Sequence, residues 1–378
     1  MTENCDKNLT EHLQQFASQH ATHRPIVLVT SGGTCTDLEV NSVRSLDNFS
    51  TGFRGALSVE AFLAKGYAVV HLQRTGSASP FACNLSRELA IGVNQALSVA
   101  AFDKMFSVGG SDSGSLSDHL EVKSKIANSS LIKEAVRNMT RALDHNLLYT
   151  ITFRTVEEYL HLLELAARTL SVMDRLLLIY LAAAVSDFYV PKEDRSEHKI
   201  QSGDNDGLTL HLKPVPKMLQ HLTSDWCPSA FVVSFKLETD ENILMKKSNG
   251  AIEKYGVNLV VANELYTRQK RVWIVDAEGN DQKTANSTLI EKLEGLTLEE
   301  LITDFVTEKH FKFISKGNPT LTLSSSSLSR IQYTPKDPKS LWKNKKWLVN
   351  VLEVSGPIIG AILSYYLSQF LNKQRRWK

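Results

Sequence analysis

Apolar runs of strand length recur along the chain, and each stops at small or polar residues. The first, Ile26-Val27-Leu28-Val29, is continuous and β-branched, the mark of a strand buried on both faces. It ends at Thr30-Ser31-Gly32-Gly33-Thr34, where the backbone can turn tightly. Leu176 to Leu181 opens in the same way into Ala182-Ala183-Ala184-Val185-Ser186-Asp187. Ala230 to Phe235 runs into Lys236-Leu237-Glu238-Thr239-Asp240, and Asn258 to Ala262 ends at Asn263. Val69 to Arg74 reads as a further strand. Helical spacing covers residues 9–17, 56–65, 132–148 and 242–255. A strand, the helix at 242–255 and a second strand make a crossover unit. The pattern predicts an α/β fold, a mostly parallel sheet with helices on both faces.

In such sheets ligands sit at the carboxyl ends of the strands, so the residues that close each run are the candidates for chemistry. Two glycine turns lie close together. The second, Asp47-Asn48-Phe49-Ser50-Thr51-Gly52-Phe53-Arg54-Gly55, leads into the helix at 56–65 and aims backbone N–H groups and hydroxyls at an anion. The spacing fits neither Gly-x-Gly-x-x-Gly nor the Walker pattern, and Gly-Gly after a strand also occurs as plain turn chemistry. Asp187, after its run of alanines, suits either a ligand hydrogen bond or a helix cap. Lys199 sits in a polar loop, Glu197-His198-Lys199-Ile200-Gln201-Ser202, where most lysines are simply solvated.

Composition narrows the classes. With 42% apolar residues in 378, the chain can bury a large core, and residues 24–316 suit one nucleotide-binding α/β domain after an N-terminal extension, 1–23. That extension has acidic residues and no apolar core of signal-peptide type. A net charge of +2 gives no reason to expect nucleic acid as a partner. Cys5, Cys35, Cys83 and Cys227 are scattered, which suits a reducing, cytoplasmic setting rather than a disulfide framework. No His-x-x-x-His helix pair or Cys-x-x-Cys pair points to a bound metal. Cys35 reads as a small filler. The stretch from Met105 to Asn128, with its Gly109-Gly110-Ser111-Asp112-Ser113-Gly114-Ser115 core, reads as a loop.

Beyond residue 316 the character changes. Serines and prolines mark a linker at 317–342, and an apolar tail with basic flanks fills 343–378. Its uncharged part, 354–372, has 19 residues, near the ~20 a helix needs to cross a bilayer. Pro357, Gly356 and several polar residues interrupt it, so a tail anchor and a helix lying on a membrane or partner both fit.

Six segments in order carry a resemblance: VTSGGT at 29–34, LDNFSTGFRG at 46–55, YLAAAVSDFYVP at 180–191, EHKIQS at 197–202, SFKLETD at 234–240 and VVAN at 260–263. Over about residues 24–310 the chain resembles the eukaryotic, monofunctional phosphopantothenate–cysteine ligases; an insertion at about 103–140 and the tail have no counterpart. The resemblance implies a Rossmann-like three-layer fold. It implies ATP as a substrate with Mg2+, 4′-phosphopantothenate activated as an acyl-adenylate, and cysteine as the amine that forms the amide. It implies nucleotide contacts from Gly32, Ser50, Gly52, Gly55, Phe235 and Asn263, and pantothenate contacts from Ala183, Ala184 and Asp187. Catalytic roles fall to Asn48 and to Lys199, the latter on a flexible strand over the reacting centre. A homodimer in which one subunit completes the other's site is also implied. Thr51 and Phe53 depart from the usual pattern and leave Arg54 alone of a basic pair.

Two other readings use the same residues. An oxidoreductase with an NADP-type cofactor would explain the strand, glycine turn and helix, with Arg74 on the 2′-phosphate. An inactive, membrane-tethered binding subunit would keep fold and tail without turnover.

Overall fold

The computed structural model describes residues 3–21, 24–92, 98–109, 119–201, 207–277 and 286–317. The described residues divide into two compact units, one built from the chain up to Ser77 and from Ala142 to Gly317, the other from Ala78–Arg141. The linker beyond Gly317, the apolar tail, and the centre of the glycine-serine loop lie outside the described residues. Among the described residues no helix is long and apolar enough to cross a membrane.

The first unit begins with α1 (Glu3–His20), β1 (Ile26–Ser31), the short strands β2 (Cys35–Asp37) and β3 (Ser45–Asp47), α2 (Phe53–Ala64) and β4 (Ala68–Arg74). The second holds α3 (Cys83–Leu89), α4 (Val99–Met105), the antiparallel pair β5 (Phe106–Gly109) and β6 (His119–Val122), α5 (Ser124–Asn128) and most of α6 (Ser130–Asp144). Its core is Leu85, Leu89, Ala101, Met105, Phe106, Ile126 and Ile132. The first unit resumes with β7 (Leu148–Phe153), α7 (Val156–Leu170), β8 (Leu177–Leu181), the small pair β9 (Phe188–Tyr189) and β10 (Lys213–Pro214), and α8 (Met218–His221). It closes with β11 (Phe231–Glu238), α9 (Glu241–Tyr255), β12 (Leu259–Glu264), β13 (Arg271–Asp276), β14 (Asn286–Glu291) and α10 (Leu298–Gly317).

Eight strands form one sheet in the order β14-β13-β12-β11-β8-β1-β4-β7. The six from β12 to β7 are parallel, and β13 and β14 run antiparallel at one edge. Every residue of β1 is buried, as its unbroken apolar run requires of a central strand. One face packs Ile26, Leu28, Val70, Leu72 and Ile179 against Leu13 and Phe16 of α1, Leu162 and Ala166 of α7, and Leu244 of α9. The other face carries α2 and α10, with Phe62 against Tyr67 and Tyr180, and Tyr67 donating to or accepting from Nδ1 of His310 at 2.9 Å. Each large side chain taken fully out of water contributes about 1.5–3 kcal/mol before entropy is counted.

Three local expectations change. The helix expected at 132–148 stops at Asp144, because Asn146 turns left-handed (φ 50°) and Leu147 N–H donates back to the Ala142 carbonyl at 2.7 Å. The apolar spacing that continues through Leu148 belongs to β7. The stretch from 105 to 128, expected as loop, contains β5, β6 and α5. The N-terminal helix runs over eighteen residues instead of 9–17, and Leu13, Phe16 and Ala17 are buried in the main core.

Candidate active site at the carboxyl edge of the sheet

From β1 the chain moves outward to β4 and β7, then returns to β8 on the other side of β1 and continues to β11 and β12. The order reverses between β1 and β8, so their carboxyl ends flank the crevice where α/β proteins bind ligands. The two segments leaving those strands are laced together there. Ala184 N–H donates to the Gly32 carbonyl at 2.8 Å, and Thr34 N–H donates to the Ala184 carbonyl at 3.1 Å. Side chains extend the seam: Thr30 Oγ1 accepts from Ala183 N–H (3.2 Å), Thr34 Oγ1 from Ser186 N–H (3.0 Å) and Thr36 Oγ1 from Val190 N–H (3.1 Å).

The glycines of the site are there for close approach. A Cβ on Gly32, which has φ +90°, would lie 2.3 Å from Arg74 Cβ, and one on Gly55 would lie 2.3 Å from Ser31 Cβ. Gly33 meets the Asn48 carbonyl, so the loop carrying Asn48 presses on the first turn. Gly52, at φ 74°, introduces α2, whose N-terminus has neither a side-chain cap nor an acidic residue in its first turn. Past Phe53, its first-turn N–H groups therefore remain available to an anion. Ser50 and Thr51 shape this entry, their hydroxyls accepting from Gly52 N–H at 3.3 Å and Phe53 N–H at 3.4 Å. Arg54 turns away to the Arg268 carbonyl and to Glu299 at 3.4 Å.

Asn48 is anchored by its backbone N–H, which donates to the Thr34 carbonyl at 3.0 Å. Its half-buried side-chain amide has no hydrogen-bond partner among the described residues. Arg74, at the end of β4, donates to both carboxylate oxygens of Asp47 (3.1 and 3.2 Å) and to the Gly33 carbonyl (2.6 Å). A guanidinium so engaged is not free for a 2′-phosphate, which removes the feature that favoured an NADP-type oxidoreductase.

On the α2 side, Tyr180 stands between Phe62 and Phe235, with ring centroids 5.2 and 4.9 Å away, and shares a 3.1 Å hydrogen bond with Ser58 Oγ. Phe235 is only half-buried. Asn263, buried at the end of β12, donates from Nδ2 to the Lys236 and Val261 carbonyls at 3.2 and 3.1 Å. Its Oδ1 is buried with no hydrogen-bond partner among the described residues, an acceptor held in place without a donor.

The remaining two residues lie further along. Asp187 is exposed, its carboxylate paired with Lys217 Nζ at 3.1 Å and its carbonyl accepting from Val215 N–H at 2.9 Å. Lys199 is exposed on a segment held by the β2–β3 hairpin: Val40 N–H donates to the Ser196 carbonyl (2.9 Å) and Asn41 N–H to the Glu197 carbonyl (3.1 Å). The seam thus brings Gly32, Asn48, Gly55, Ala183 and Ala184 together at one edge, while Lys199 connects to it through the hairpin.

Two acid–arginine pairs in that hairpin escaped the sequence reading. Arg154 grips both oxygens of Asp37; burial alone would raise this carboxyl, but the Arg154 hydrogen bond and charge hold it below its ordinary value. Glu39 is fully buried and likewise lowered, burial being outweighed by Arg44 and by Ile200 N–H. Two acids at i and i+2 just after a glycine turn share a strand face, the one signal that would have marked them. Cys35 is buried, its Sγ 3.4 Å from the Arg154 carbonyl, and burial pushes the thiol up, away from a thiolate nucleophile. Among the described residues no group of three His, Cys, Asp or Glu side chains could hold a metal ion.

The sheet, its switch-point crevice and the glycine-led helix entry define a Rossmann-like α/β protein with an uncapped helix N-terminus at its carboxyl edge. Residues 142–294 match the DNA/pantothenate metabolism flavoprotein C-terminal domain. The chain is 40% identical over 309 residues to the human phosphopantothenate–cysteine ligase, covering 82% of this chain and 94% of that one. It is 39% identical over 293 residues to phosphopantothenate–cysteine ligase 2 of rice, covering 78% and 82%. A solved structure of a Cab2 mutant in complex with phosphopantothenate-cysteine superposes with a TM-score of 0.70 at 33% identity, over 82% of this chain and 95% of that one. The chain belongs to the phosphopantothenate–cysteine ligase family.

Proposed function

We propose that this protein joins cysteine to 4′-phosphopantothenate, with ATP as the activating nucleotide. The observation that carries the reading is the direct hydrogen bonding of Ala184 to the first glycine turn. If the alanine segment receives the pantothenate arm and the glycine turns receive the triphosphate, a carboxylate and an α-phosphate meet at that seam. A carboxylate oxygen attacks the α-phosphorus, the bond to pyrophosphate breaks, and an acyl-adenylate results. The cysteine amine then attacks the acyl carbon, the bond to the AMP oxygen breaks, and the amine's surplus proton passes to solvent.

Two anions must approach one another, so donors aimed at the phosphorus lower the barrier. The open N–H groups of α2, the unpartnered Asn48 amide and the Lys199 ammonium are the donors available. Gly32, Ser50, Gly52 and Gly55 would cradle phosphates, and Phe235 and the Asn263 Oδ1 would meet the base. A magnesium ion would arrive largely on triphosphate oxygens and water, which fits an edge whose acids, Asp47 and Asp187, are already paired to Arg74 and Lys217. Asp187 would reach the pantothenate arm only by sharing or leaving Lys217.

Release of AMP and pyrophosphate that requires both cysteine and phosphopantothenate is the expected result of a coupled assay. Release without cysteine dependence, or none from the folded protein, would overturn the proposal, the latter in favour of an inactive binding subunit. Pairing of two subunits is part of the proposal and is read by sedimentation. The basic-flanked apolar tail supports membrane contact: truncation after Gly317 should leave active ligase and abolish association with anionic vesicles, and an untruncated chain that never binds them would contradict this.

A further inference from the structure

The β2–β3 hairpin leaves the first glycine turn and meets the segment bearing Lys199, and one ion pair locks the two together. Arg44 donates to Glu39 Oε1 from Nε at 2.9 Å and from Nη2 at 2.6 Å, and Nη2 donates also to the Ile200 carbonyl at 2.7 Å. Ile200 N–H points at the same Glu39 oxygen, at 3.4 Å. The residue after Lys199 is therefore held at both its backbone groups by one acid–base pair. On the other side of the lysine, the Ser196 and Glu197 carbonyls accept from Val40 and Asn41. The Glu39 side chain has no exposure to solvent, that of Arg44 is 38% exposed, and the second Glu39 oxygen has no hydrogen-bond partner among the described residues. A buried carboxylate with one oxygen unsatisfied is costly on stability grounds alone. What it gains is a fixed distance between the glycine turn and the lysine segment.

We propose that Glu39 and Arg44 are positioning residues that hold the 196–200 segment so that Lys199 is presented to the reacting phosphate. The proposal rests on the ligation reading for Lys199 given above. Arg44 touches no reacting atom in this scheme; it acts through Ile200. The guanidinium fork matters because it serves a carboxylate and a carbonyl at once, which a lysine ammonium with no planar fork does less well. The paired state of Glu39 also explains why its carboxyl is held low despite burial.

The test combines an activity-free readout with kinetics on the full chain. Arg44→Ala, with its folding checked by circular dichroism because it leaves the buried Glu39 carboxylate without its partner, should raise amide hydrogen exchange in a peptide covering 196–201 and leave the β1 peptide unchanged. It should lower kcat about ten- to a hundredfold, the scale of a misplaced catalytic group, with KM for ATP unchanged. In a Lys199→Gln background the same substitution should cost nothing further, since a positioning residue has nothing left to position. Glu39→Gln, which keeps the side-chain shape, is measured alongside and should show the same pattern. Unchanged exchange at 196–201, or losses that add in full in the double variant, would overturn the proposal. If Lys199→Gln alone turns over like the native chain, the catalytic reading of the lysine fails and the proposal with it, while the exchange result still reports separately whether the pair holds the segment.

Discussion

Arg74 and Asp47 meet through two parallel contacts of 3.1 and 3.2 Å, and the same guanidinium donates to the Gly33 carbonyl at 2.6 Å. One side chain at the end of β4 thereby fixes both glycine turns of the site relative to each other. Arg74→Lys keeps the charge and loses the fork. With Asp47 half-exposed, the stability loss should be only about 1 kcal/mol, read by urea unfolding, while nucleotide binding weakens clearly. Tight NADPH binding by the native chain would contradict the role given to Arg74.

Gly55 and Gly250 both lie in helices and should respond to alanine in opposite directions. A methyl at Gly55 would sit 2.3 Å from the Cβ of the buried Ser31, whereas one at Gly250 in α9 meets nothing within 4 Å. Gly55→Ala should destabilise by about 1–3 kcal/mol through overpacking. Gly250→Ala should stabilise by up to about 1 kcal/mol through helix propensity. Denaturant midpoints of the two variants check this, and a neutral Gly55→Ala would show that α2 can move off β1.

Acid should weaken the hairpin in a defined window. Asp37 is held below its ordinary value of 3.8, so its pairing with Arg154 contributes fully above that value and is lost as pH falls through the lower folded-state value. Asp37→Asn should therefore be less stable than the native chain at neutral pH, and the gap should narrow as pH falls below the ordinary value of 3.8. Urea unfolding across that range measures it. A gap that stays constant would mean that the carboxylate charge contributes nothing.

Asn48→Ala should fold normally, because the residue is anchored by its backbone and its amide has no partner among the described residues. Loss of a donor that acts on developing charge costs about a hundredfold or more in rate. Lys199→Gln should likewise depress kcat while leaving ATP affinity nearly intact. Near-native turnover in either folded variant removes that residue from the chemistry.

Much of the fold around this candidate site is legible in the chain itself. Continuous apolar runs mark β1, β8, β11 and β12, because strands buried on both faces leave few other patterns. The glycine turns stood out for the same reason, since close approach and a left-handed φ leave little choice of residue. What stayed hidden were the arginines that hold the loops. Arg154 reaches Asp37 across 117 residues and Arg44 reaches Ile200 across 156, and no local period links such partners. The α6–β7 boundary was misplaced because Leu143, Leu147 and Leu148 satisfy a helical spacing that only the left-handed turn at Asn146 interrupts. The pairing of Asp187 with Lys217, set beside its two sequence readings as ligand contact or helix cap, joins residues thirty apart and has no local signature.

Ligation through an acyl-adenylate is tested most directly by following oxygen. Phosphopantothenate labelled in its carboxylate with a heavy oxygen isotope, turned over with ATP and cysteine, should pass one labelled oxygen to each AMP released, as mass spectrometry of the nucleotide would show. Unlabelled AMP, or ADP and labelled phosphate in its place, would contradict attack of the carboxylate on the α-phosphorus at the Gly32–Ala184 seam.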